Sequence, residues 1–307
     1  MIQMTEDTFD ADQANDYDSL IRHPLPDSNG GKHWPVLISA QPNGYRPLTI
    51  DLRTPKGTGP HPVVVYIHGG GWAFGHALVL TRKLQDMAIV DTLLAAGFAW
   101  AGINYRLSSE AQFPAQLHDC KAAVRYLRHH AGPLGLDPAR IAAMGESAGG
   151  HLAAFLGLTG TRADLEGDVG VTGVSSAVQA VVNWYGPADF LTMNAQRPDI
   201  SRQAADETEN MEAWLIGAHL PHAPNLARAA SPLYHVAAGS APMLIHHGDS
   251  DRLVPVAQSR ALVAAIRAKG GVVDLVEIAG ADHCFWQGDT AQIMPQVLAF
   301  LRQHMPG

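Results

Sequence analysis

Short apolar stretches recur along the chain, each about as long as a buried strand. The candidate strands lie at residues 36–40, 48–52, 63–68, 98–104, 141–145, 180–184, 243–247 and 272–278. Amphipathic patterns predict helices at residues 84–96, 117–127, 147–158, 256–269 and 291–304. Because buried strands that alternate with helices form parallel sheets covered on both faces, we predict an α/β fold with a mostly parallel eight-stranded sheet. No helix separates the first two strands, which favours an antiparallel pair.

Two segments fall outside this alternation. Residues 1–33 are polar and acidic with little periodicity, so we predict an N-terminal arm before a domain at residues 34–307. The connection at residues 190–236 is long for a compact domain, and we interpret it as a small, partly helical cap over a site. A surface excursion without a role is the alternative that length leaves open.

The charge balance narrows the possible partners. The 307 residues include 21 Lys and Arg against 29 Asp and Glu, a formal net charge of −8. Such a chain does not attract nucleic acid or anionic lipid, so we expect neither as a partner.

The acidic beginning does not resemble a signal peptide, and no apolar run is long enough to span a bilayer, which predicts a cytoplasmic protein. Only Cys120 and Cys284 are present and no metal-ligand spacing occurs, so we expect no disulfide framework, metal or cofactor.

A candidate nucleophile follows the strand predicted at 141–145. Gly145-Glu146-Ser147-Ala148-Gly149 leads from that strand directly into a predicted helix. Flanking glycines allow the strained turn that lifts a serine hydroxyl above the sheet edge, and the start of the helix directs its positive end there. A G-x-S-x-G pattern alone also arises by chance, but its position between strand and helix favours Ser147 as a nucleophile.

A glycine run follows the strand predicted at 63–68. Residues 69–71 are all glycine, and consecutive glycines leave backbone N–H groups uncovered. Acyl transfer develops an oxyanion that such groups stabilise, so we predict an oxyanion hole formed by Gly70, Gly71 and the amide of Ala148. Without a nucleophile nearby, the same run would simply be a flexible turn.

A serine nucleophile also needs a base, and position selects one among the 16 histidines. Residues that meet in a parallel sheet lie just past the carboxyl ends of its strands. His283 follows the strand predicted at 272–278 in this way. His246 and His247 lie inside an apolar run and are interpreted as core residues, whereas His68 is interpreted as bracing the glycine run.

The acid that orients the base should come from the loop after the strand predicted at 243–247. Asp249 and Asp251 are both within reach of such a role. We favour Asp251 as the acid and interpret Asp249 as a turn residue whose side chain caps the loop.

Together these motifs resemble the α/β-hydrolase family of esterases and lipases, from about Pro35 onward. The family's motif His-Gly-x-x-Asp-x-x-Val-Pro carries its acid at the position of Asp251. Residues 104–116 are similar to hormone-sensitive-lipase-like esterases, but Ser108, Ser109 and Glu146 depart from that branch. With residues 119–125 and 165–170, the chain is most similar to the bifunctional feruloyl and acetyl xylan esterase branch.

The resemblance implies a cofactor-free serine carboxylesterase that hydrolyses small-molecule esters with short-chain or aromatic acyl groups through an acyl-enzyme. Trp72, Phe285, Trp286 and Trp214 are candidate walls of the substrate pocket, with core packing as the alternative. An arylformamidase of the kynurenine type and a non-catalytic small-molecule receptor are the competing functions. A homo-oligomer is compatible with the sequence.

Overall fold

The computed structural model describes residues 21, 23–198 and 210–307. In these ranges the strands are β1 (Leu25–Pro26), β2 (Lys32–Ala40), β3 (Leu48–Arg53), β4 (His61–Ile67), β5 (Ala99–Ile103), β6 (Leu136–Glu146), β7 (Ala180–Trp184), β8 (Met243–Gly248) and β9 (Val273–Ile278). They form one sheet in the order β1-β2-β3-β5-β4-β6-β7-β8-β9. The pairs from β1 to β5 along this order are antiparallel, and the remaining pairs are parallel. The mostly parallel sheet and the antiparallel first pair are confirmed.

The described sheet has nine strands, so the predicted number of eight is wrong. The additional strand, β1, is two residues long, which is too short to give a hydrophobic pattern, and its Leu25 pairs with His33 of β2. Both β1 and the start of β2 at Lys32 fall within the arm predicted for residues 1–33. The sheet therefore extends into the end of that segment, whereas its acidic first twenty residues lie outside the described residues.

The helices are α1 (Arg82–Asp86), α2 (Ile89–Ala95), α3 (Ala115–His129), α4 (Ala131–Leu134), α5 (Ala148–Leu158), α6 (Phe190–Gln196), α7 (Met211–Ile216), α8 (Pro224–Ala229), α9 (Ala257–Ala268) and α10 (Ile293–His304). Short 3₁₀ turns occur at Ala163–Leu165, Leu220–His222, Pro232–His235 and His283–Phe285. The helix predicted at 84–96 is divided into α1 and α2 because Ala88 has a left-handed backbone, with φ 47°. No helix in the described part of the chain is long and apolar enough to cross a membrane.

Alternate side chains of β4 point into apolar cores on opposite faces of the sheet. Val63, Val65 and Ile67 belong to one core, and Val64 and Tyr66 belong to the other. This two-residue period is what a strand buried on both faces requires, and it explains why β4 is apolar throughout. Helices α3, α5 and α9 contribute to the first core, and helices α1, α2 and α10 contribute to the second.

The parallel strands β4, β6, β8 and β9 all end at the same edge of the sheet. The chain continues there into the glycine run after β4, Ser147 after β6, Asp251 after β8 and His283 after β9. Because ligand sites of open α/β sheets lie beyond the carboxyl ends of their strands, this edge is where a site is expected.

Candidate active site

Ser147 occupies a sharp turn between β6 and α5. Its backbone is strained, with φ 54° and ψ −119°, and its N–H donates to the carbonyl oxygen of Trp184 at 2.9 Å. A β-carbon at Gly145 would lie 2.3 Å from the carbonyl oxygen of Gly149, and one at Gly149 would lie 1.9 Å from that of Ile67. The glycines on both sides of Ser147 are therefore required by close backbone contacts.

His283 lies beside Ser147 on the 3₁₀ turn after β9. Its Nε2 is 3.0 Å from Ser147 Oγ, and its Nδ1 is 2.7 Å from Asp251 Oδ2. A carboxylate only accepts hydrogen bonds, so Nδ1 carries the proton and Nε2 is free to accept one from the serine. The three side chains form the hydrogen-bonded chain that nucleophilic catalysis by a serine requires.

Asp251 is held as a carboxylate. Its Oδ2 accepts the bond from His283, and its Oδ1 accepts hydrogen bonds from the backbone amides of Leu253 at 2.9 Å and Val254 at 2.8 Å. Burial acts to raise the pKa of Asp251, but hydrogen bonds from His247 and His283 bring that pKa below its ordinary value. The group is therefore ionised at neutral pH and can stabilise a cationic imidazole.

Asp249 has a different role. Its Oδ1 accepts hydrogen bonds from the amide of Gly280 at 2.8 Å and from the hydroxyl of Ser250 at 2.9 Å. These bonds connect the loops that follow β8 and β9, which is the turn function expected from the sequence. The fold thus brings Asp251 to His283 and leaves Asp249 at the outside of the turn.

The glycine run after β4 lies against Ser147. Gly70 and Gly71 have left-handed backbones, with φ 100° and 57°, and their amides have no hydrogen-bond acceptor within the described residues. The amide of Ala148 begins α5, where backbone N–H groups lack helical partners. All three residues border the same cavity as Ser147, so their N–H groups are available to a substrate oxygen.

Buried polar contacts hold this run in place. The His68 ring stacks on Tyr105 with centroids 4.4 Å apart and bonds the carbonyl oxygen of Gly69 through Nδ1 at 2.8 Å. Burial lowers the pKa of His68 to about 4, so the ring is neutral. The hydroxyl of Tyr105 donates to the carbonyl oxygen of His68 at 3.0 Å. His68 therefore braces the loop, as expected from the sequence.

The two remaining strand-end histidines are fully buried, in agreement with their interpretation as core residues. His246 Nε2 bonds Gln296 at 2.9 Å. His247 bonds Ser259 through Nδ1 and donates through Nε2 to the carbonyl oxygen of Val254. His247 also lies 3.4 Å from Asp251 and so belongs to the surroundings of the acid.

A cavity of about 560 Å³ opens in front of Ser147. Of the four aromatic residues predicted to line a pocket, Trp72 is the one that borders it, with an otherwise buried ring. Phe285 does not, because it is fully buried against Trp184 and Tyr185 in the core, so its assignment as a pocket wall is wrong. Trp214 and Trp286 are 40% and 53% exposed and lie outside the cavity lining, so the structure does not bring them to Ser147.

The far wall of the cavity comes from the segment between β7 and β8, whose described helices are α6, α7 and α8. Arg197 and Glu212 form a buried ion pair there, with Nη2 and Oε1 2.7 Å apart, and Met211 lies next to it. Arg197 also donates through Nε to the carbonyl oxygen of Leu253 at 2.8 Å, which connects this wall to the acid loop. Residues 199–209 of the predicted cap lie outside the described residues.

Sequence reasoning missed these wall residues. Leu253 could have been found, because it lies within the motif that carries the acid. Arg197 and Glu212 carry no such signal, since each has the pattern of an ordinary solvated charge and only the fold buries them together. The described residues contain no cluster of three or more groups that could hold a metal ion, and both cysteines are free.

Comparison with known proteins identifies a matching family and several esterases that are similar to this chain. A model of the BD-FAE family matches residues 50–266, from β3 into α9. The chain belongs to the BD-FAE family. Esterase LipC of Mycobacterium tuberculosis is 32% identical to this BD-FAE protein over 260 residues, which cover 83% of this chain and 62% of LipC. The chain thus spans less than two thirds of that relative's length.

Solved esterase structures share the fold of this BD-FAE chain. A truncated carbohydrate esterase from gut microbiota superposes with a TM-score of 0.77 and 31% identity, covering 92% of this chain and 99% of that one. Esterase Est2 of Thermogutta terrifontis, described with propionate bound, gives a TM-score of 0.65 and 26% identity over 87% of this chain and 90% of its own. The resemblance to α/β-hydrolase esterases is confirmed.

Proposed function

We propose that this protein is a serine carboxylesterase in which Ser147 is the nucleophile, His283 the base and Asp251 the acid. The observation that carries the proposal is the continuous hydrogen-bonded chain from Ser147 Oγ through His283 to Asp251, at 3.0 and 2.7 Å. Uncovered amides beside the serine and membership of an esterase family support the same function.

In the first half of the reaction, Ser147 Oγ attacks the ester carbonyl carbon while His283 Nε2 takes the serine proton. The carbonyl oxygen becomes an oxyanion, which the N–H groups of Gly70, Gly71 and Ala148 stabilise. When the tetrahedral intermediate collapses, His283 gives its proton to the departing alcohol and Ser147 is left acylated. Asp251 keeps the imidazole in the required tautomer and stabilises its cationic form.

In the second half, water replaces the alcohol and attacks the acyl-enzyme with His283 again acting as base. Release of the carboxylic acid returns the proton to Ser147 and regenerates the enzyme. Nucleophile, base and oxyanion donors all come from this chain, so the reaction as proposed requires no cofactor.

The proposed substrates are small esters with short-chain or aromatic acyl groups. The cavity volume of about 560 Å³ and its largely apolar walls, including Trp72, Phe74 and Leu253, suit an acyl group of limited size. The propionate bound to the related Est2 agrees with a short acyl group. The gut carbohydrate esterase adds sugar esters to the alcohols to be tried.

The test is hydrolysis of 4-nitrophenyl acetate by the wild type and by Ser147→Ala. We expect the variant to lose at least about 10⁴-fold in kcat while keeping its folded structure, because the turn does not depend on the hydroxyl. The control is Ser240→Ala, whose hydroxyl bonds a neighbouring carbonyl oxygen in an exposed loop. Near-normal turnover by Ser147→Ala would contradict the nucleophile assignment. If the wild type hydrolyses formylkynurenine with a kcat/KM above that for any ester, the result would favour an arylformamidase.

A further inference from the structure

We propose that Glu146 is a positioning residue that joins the oxyanion loop to the catalytic base. The oxyanion loop comprises residues 68–72, and the base is His283. This inference rests on the proposed function, since it assigns a role to a residue next to Ser147 in the same reaction. Glu146 would act through the groups it holds and not through contact with the reacting atoms.

The carboxylate of Glu146 lies between two parts of the machinery. Its Oε1 accepts a hydrogen bond from the amide of Gly69 at 3.1 Å, and its Oε2 accepts one from the hydroxyl of Tyr185 at 3.3 Å. The residue is 5% exposed, so these bonds form away from bulk water. A hydrogen bond to a buried charged group is among the stronger ones, because the group has lost its solvation.

Tyr185 extends this connection to the base. The edge of its ring meets the imidazole of His283, with centroids 4.9 Å apart and an angle of 67° between the rings. The Tyr185 ring also meets His247, with centroids 6.5 Å apart, and Phe285, with centroids 4.6 Å apart, which supports it from within the core. One carboxylate therefore fixes the loop that carries the oxyanion donors and the ring that supports the base.

The glycine at position 69 gives independent support for a fitted contact. Unlike Gly70 and Gly71, Gly69 does not have a left-handed backbone, so its conformation alone would admit another residue. A β-carbon at position 69 would instead lie 2.7 Å from three atoms of the Glu146 carboxyl group. The need for glycine there comes from how closely the loop approaches the carboxylate.

The charge of Glu146 gives the contact an electrostatic consequence. Within the described residues, the ionisable groups that interact with this carboxylate are His283, Tyr66, Tyr105, Tyr185 and Cys284. Burial raises the pKa of the three tyrosines well above its usual range and that of Cys284 to about 12, so these groups stay neutral. His283 alone among them becomes a cation during the reaction, and a nearby carboxylate favours that cation.

Burial raises the pKa of Glu146, while its bond from the Gly69 amide, the charge of His283 and its bond from Tyr185 act in the opposite direction.

Two variants separate the effect of the hydrogen bonds of Glu146 from the effect of its charge. Glu146→Gln keeps an acceptor for Gly69 and a polar partner for Tyr185 but removes the charge, whereas Glu146→Ala removes all three.

The experiment follows hydrolysis of 4-nitrophenyl acetate from pH 5 to 9 and determines kcat and KM at each pH, with reactive serines counted by paraoxon titration. We expect Glu146→Ala to lower kcat per reactive serine by about 10- to 100-fold while KM changes less than about threefold, because the oxyanion contact matters in the transition state. We expect Glu146→Gln to recover most of that loss near pH 8. Its low-pH limb should move to lower pH, because protonation of His283 loses a favourable charge.

Two further variants test the role of the Tyr185 hydroxyl and provide a matched control. Tyr185→Phe keeps the ring against His283 but removes the hydroxyl, and we expect a loss of kcat smaller than that of Glu146→Ala. Glu277→Gln, which alters an exposed pair with Arg260, is the matched control and should leave the profile unchanged.

A Glu146→Ala variant that keeps kcat within about twofold would overturn the proposal. The proposal would also be overturned if Glu146→Gln lost as much kcat as Glu146→Ala and the low-pH limb of its pH profile did not move. That result would indicate only a structural role. If Glu146→Ala does not fold, Glu146→Gln and Tyr185→Phe decide the question by the same criteria. Failure of the proposed function is recognised separately, by persisting activity in Ser147→Ala.

Discussion

The two walls of the cavity in front of Ser147 are built in different ways. The wall at the sheet edge consists of backbone turns whose shape is dictated by close contacts, such as the 1.9 Å approach that excludes a β-carbon at Gly149. The opposite wall, from the segment between β7 and β8, consists of short helices joined by side chains, above all the buried pair of Arg197 and Glu212.

This difference between the two walls matches two separate tasks, which are to hold the reacting groups in place and to select the ester. In the proposed mechanism, nucleophile, base and oxyanion donors have to keep their positions to within a fraction of an ångström, and a parallel sheet with fixed register supplies that accuracy. A wall made of side chains can change shape by substitution without disturbing the sheet. We therefore expect the sheet edge to determine the rate of the chemistry and the opposite wall to determine the choice of ester.

After Ser147→Ala itself, the largest effect is expected at the sheet edge, from Asp251→Asn. Loss of the carboxylate that holds His283 Nδ1–H permits the wrong tautomer, so kcat should fall by roughly 10³- to 10⁴-fold. Asp249→Asn is the matched control, because its side chain bonds Ser250 and Gly280 and should cost less than about tenfold. Steady-state hydrolysis of 4-nitrophenyl acetate measures both, and a larger loss from Asp249→Asn would reverse the assignment.

An intermediate effect is expected where the two walls meet, at His151 of α5. Its Nδ1 accepts a hydrogen bond from Trp72 Nε1 at 3.2 Å, and its Nε2 donates to the carbonyl oxygen of Ala230 at 2.8 Å. Burial lowers the pKa of His151 to about 3, although its bond to Ala230 acts in the opposite direction. The unfolded chain therefore binds more protons than the folded one between pH 6.5 and 3, and stability present above pH 6.5 is lost as pH falls through this range.

Thermal unfolding between pH 7.5 and 4.5 tests this expectation. We predict that the wild type loses Tm as pH falls, and that His151→Gln, though less stable at pH 7.5, loses less over the same interval. His129→Gln, at an exposed site, should follow the wild type. His68 and His246 are buried neutral histidines as well, with pKa lowered to about 4, so part of the acid sensitivity should persist in His151→Gln. Equal slopes for all three proteins would refute the role of His151.

The smallest effect on 4-nitrophenyl acetate is expected from the opposite wall. Arg197→Met combined with Glu212→Gln removes both charges together, which avoids leaving one charge buried and unpaired. We predict that kcat for this ester changes less than about threefold, whereas ratios of kcat/KM among acetyl, butyryl, octanoyl and feruloyl esters change by about tenfold or more. Arg140→Met, which breaks a partly exposed pair with Asp137, is the control. Unchanged ratios would mean that this wall does not select the substrate.

Much of the fold could be predicted from the sequence because its signals are local. The apolar period of β4 and the position of Ser147 between strand and helix depend on residues that are neighbours in the chain. The two-residue strand β1 and the break at Ala88 escaped prediction, since the first is too short to show a period and the second gives no glycine or proline signal.

The candidate site likewise combines features that the sequence predicts with features that only the folded chain determines. The sequence by itself determined the candidates for the proposed chemistry: glycines where only glycine fits, a serine at the turn between them, and a histidine and aspartates just past the strands. The tertiary structure decided which of them meet, placing His283 within 3.0 Å of Ser147 across 136 residues of chain and directing Asp251 rather than Asp249 to it. It also buried Phe285 in the core and paired Arg197 with Glu212 in the cavity wall. Side-chain direction and burial depend on contacts between distant segments, so these outcomes exist only once the chain is packed.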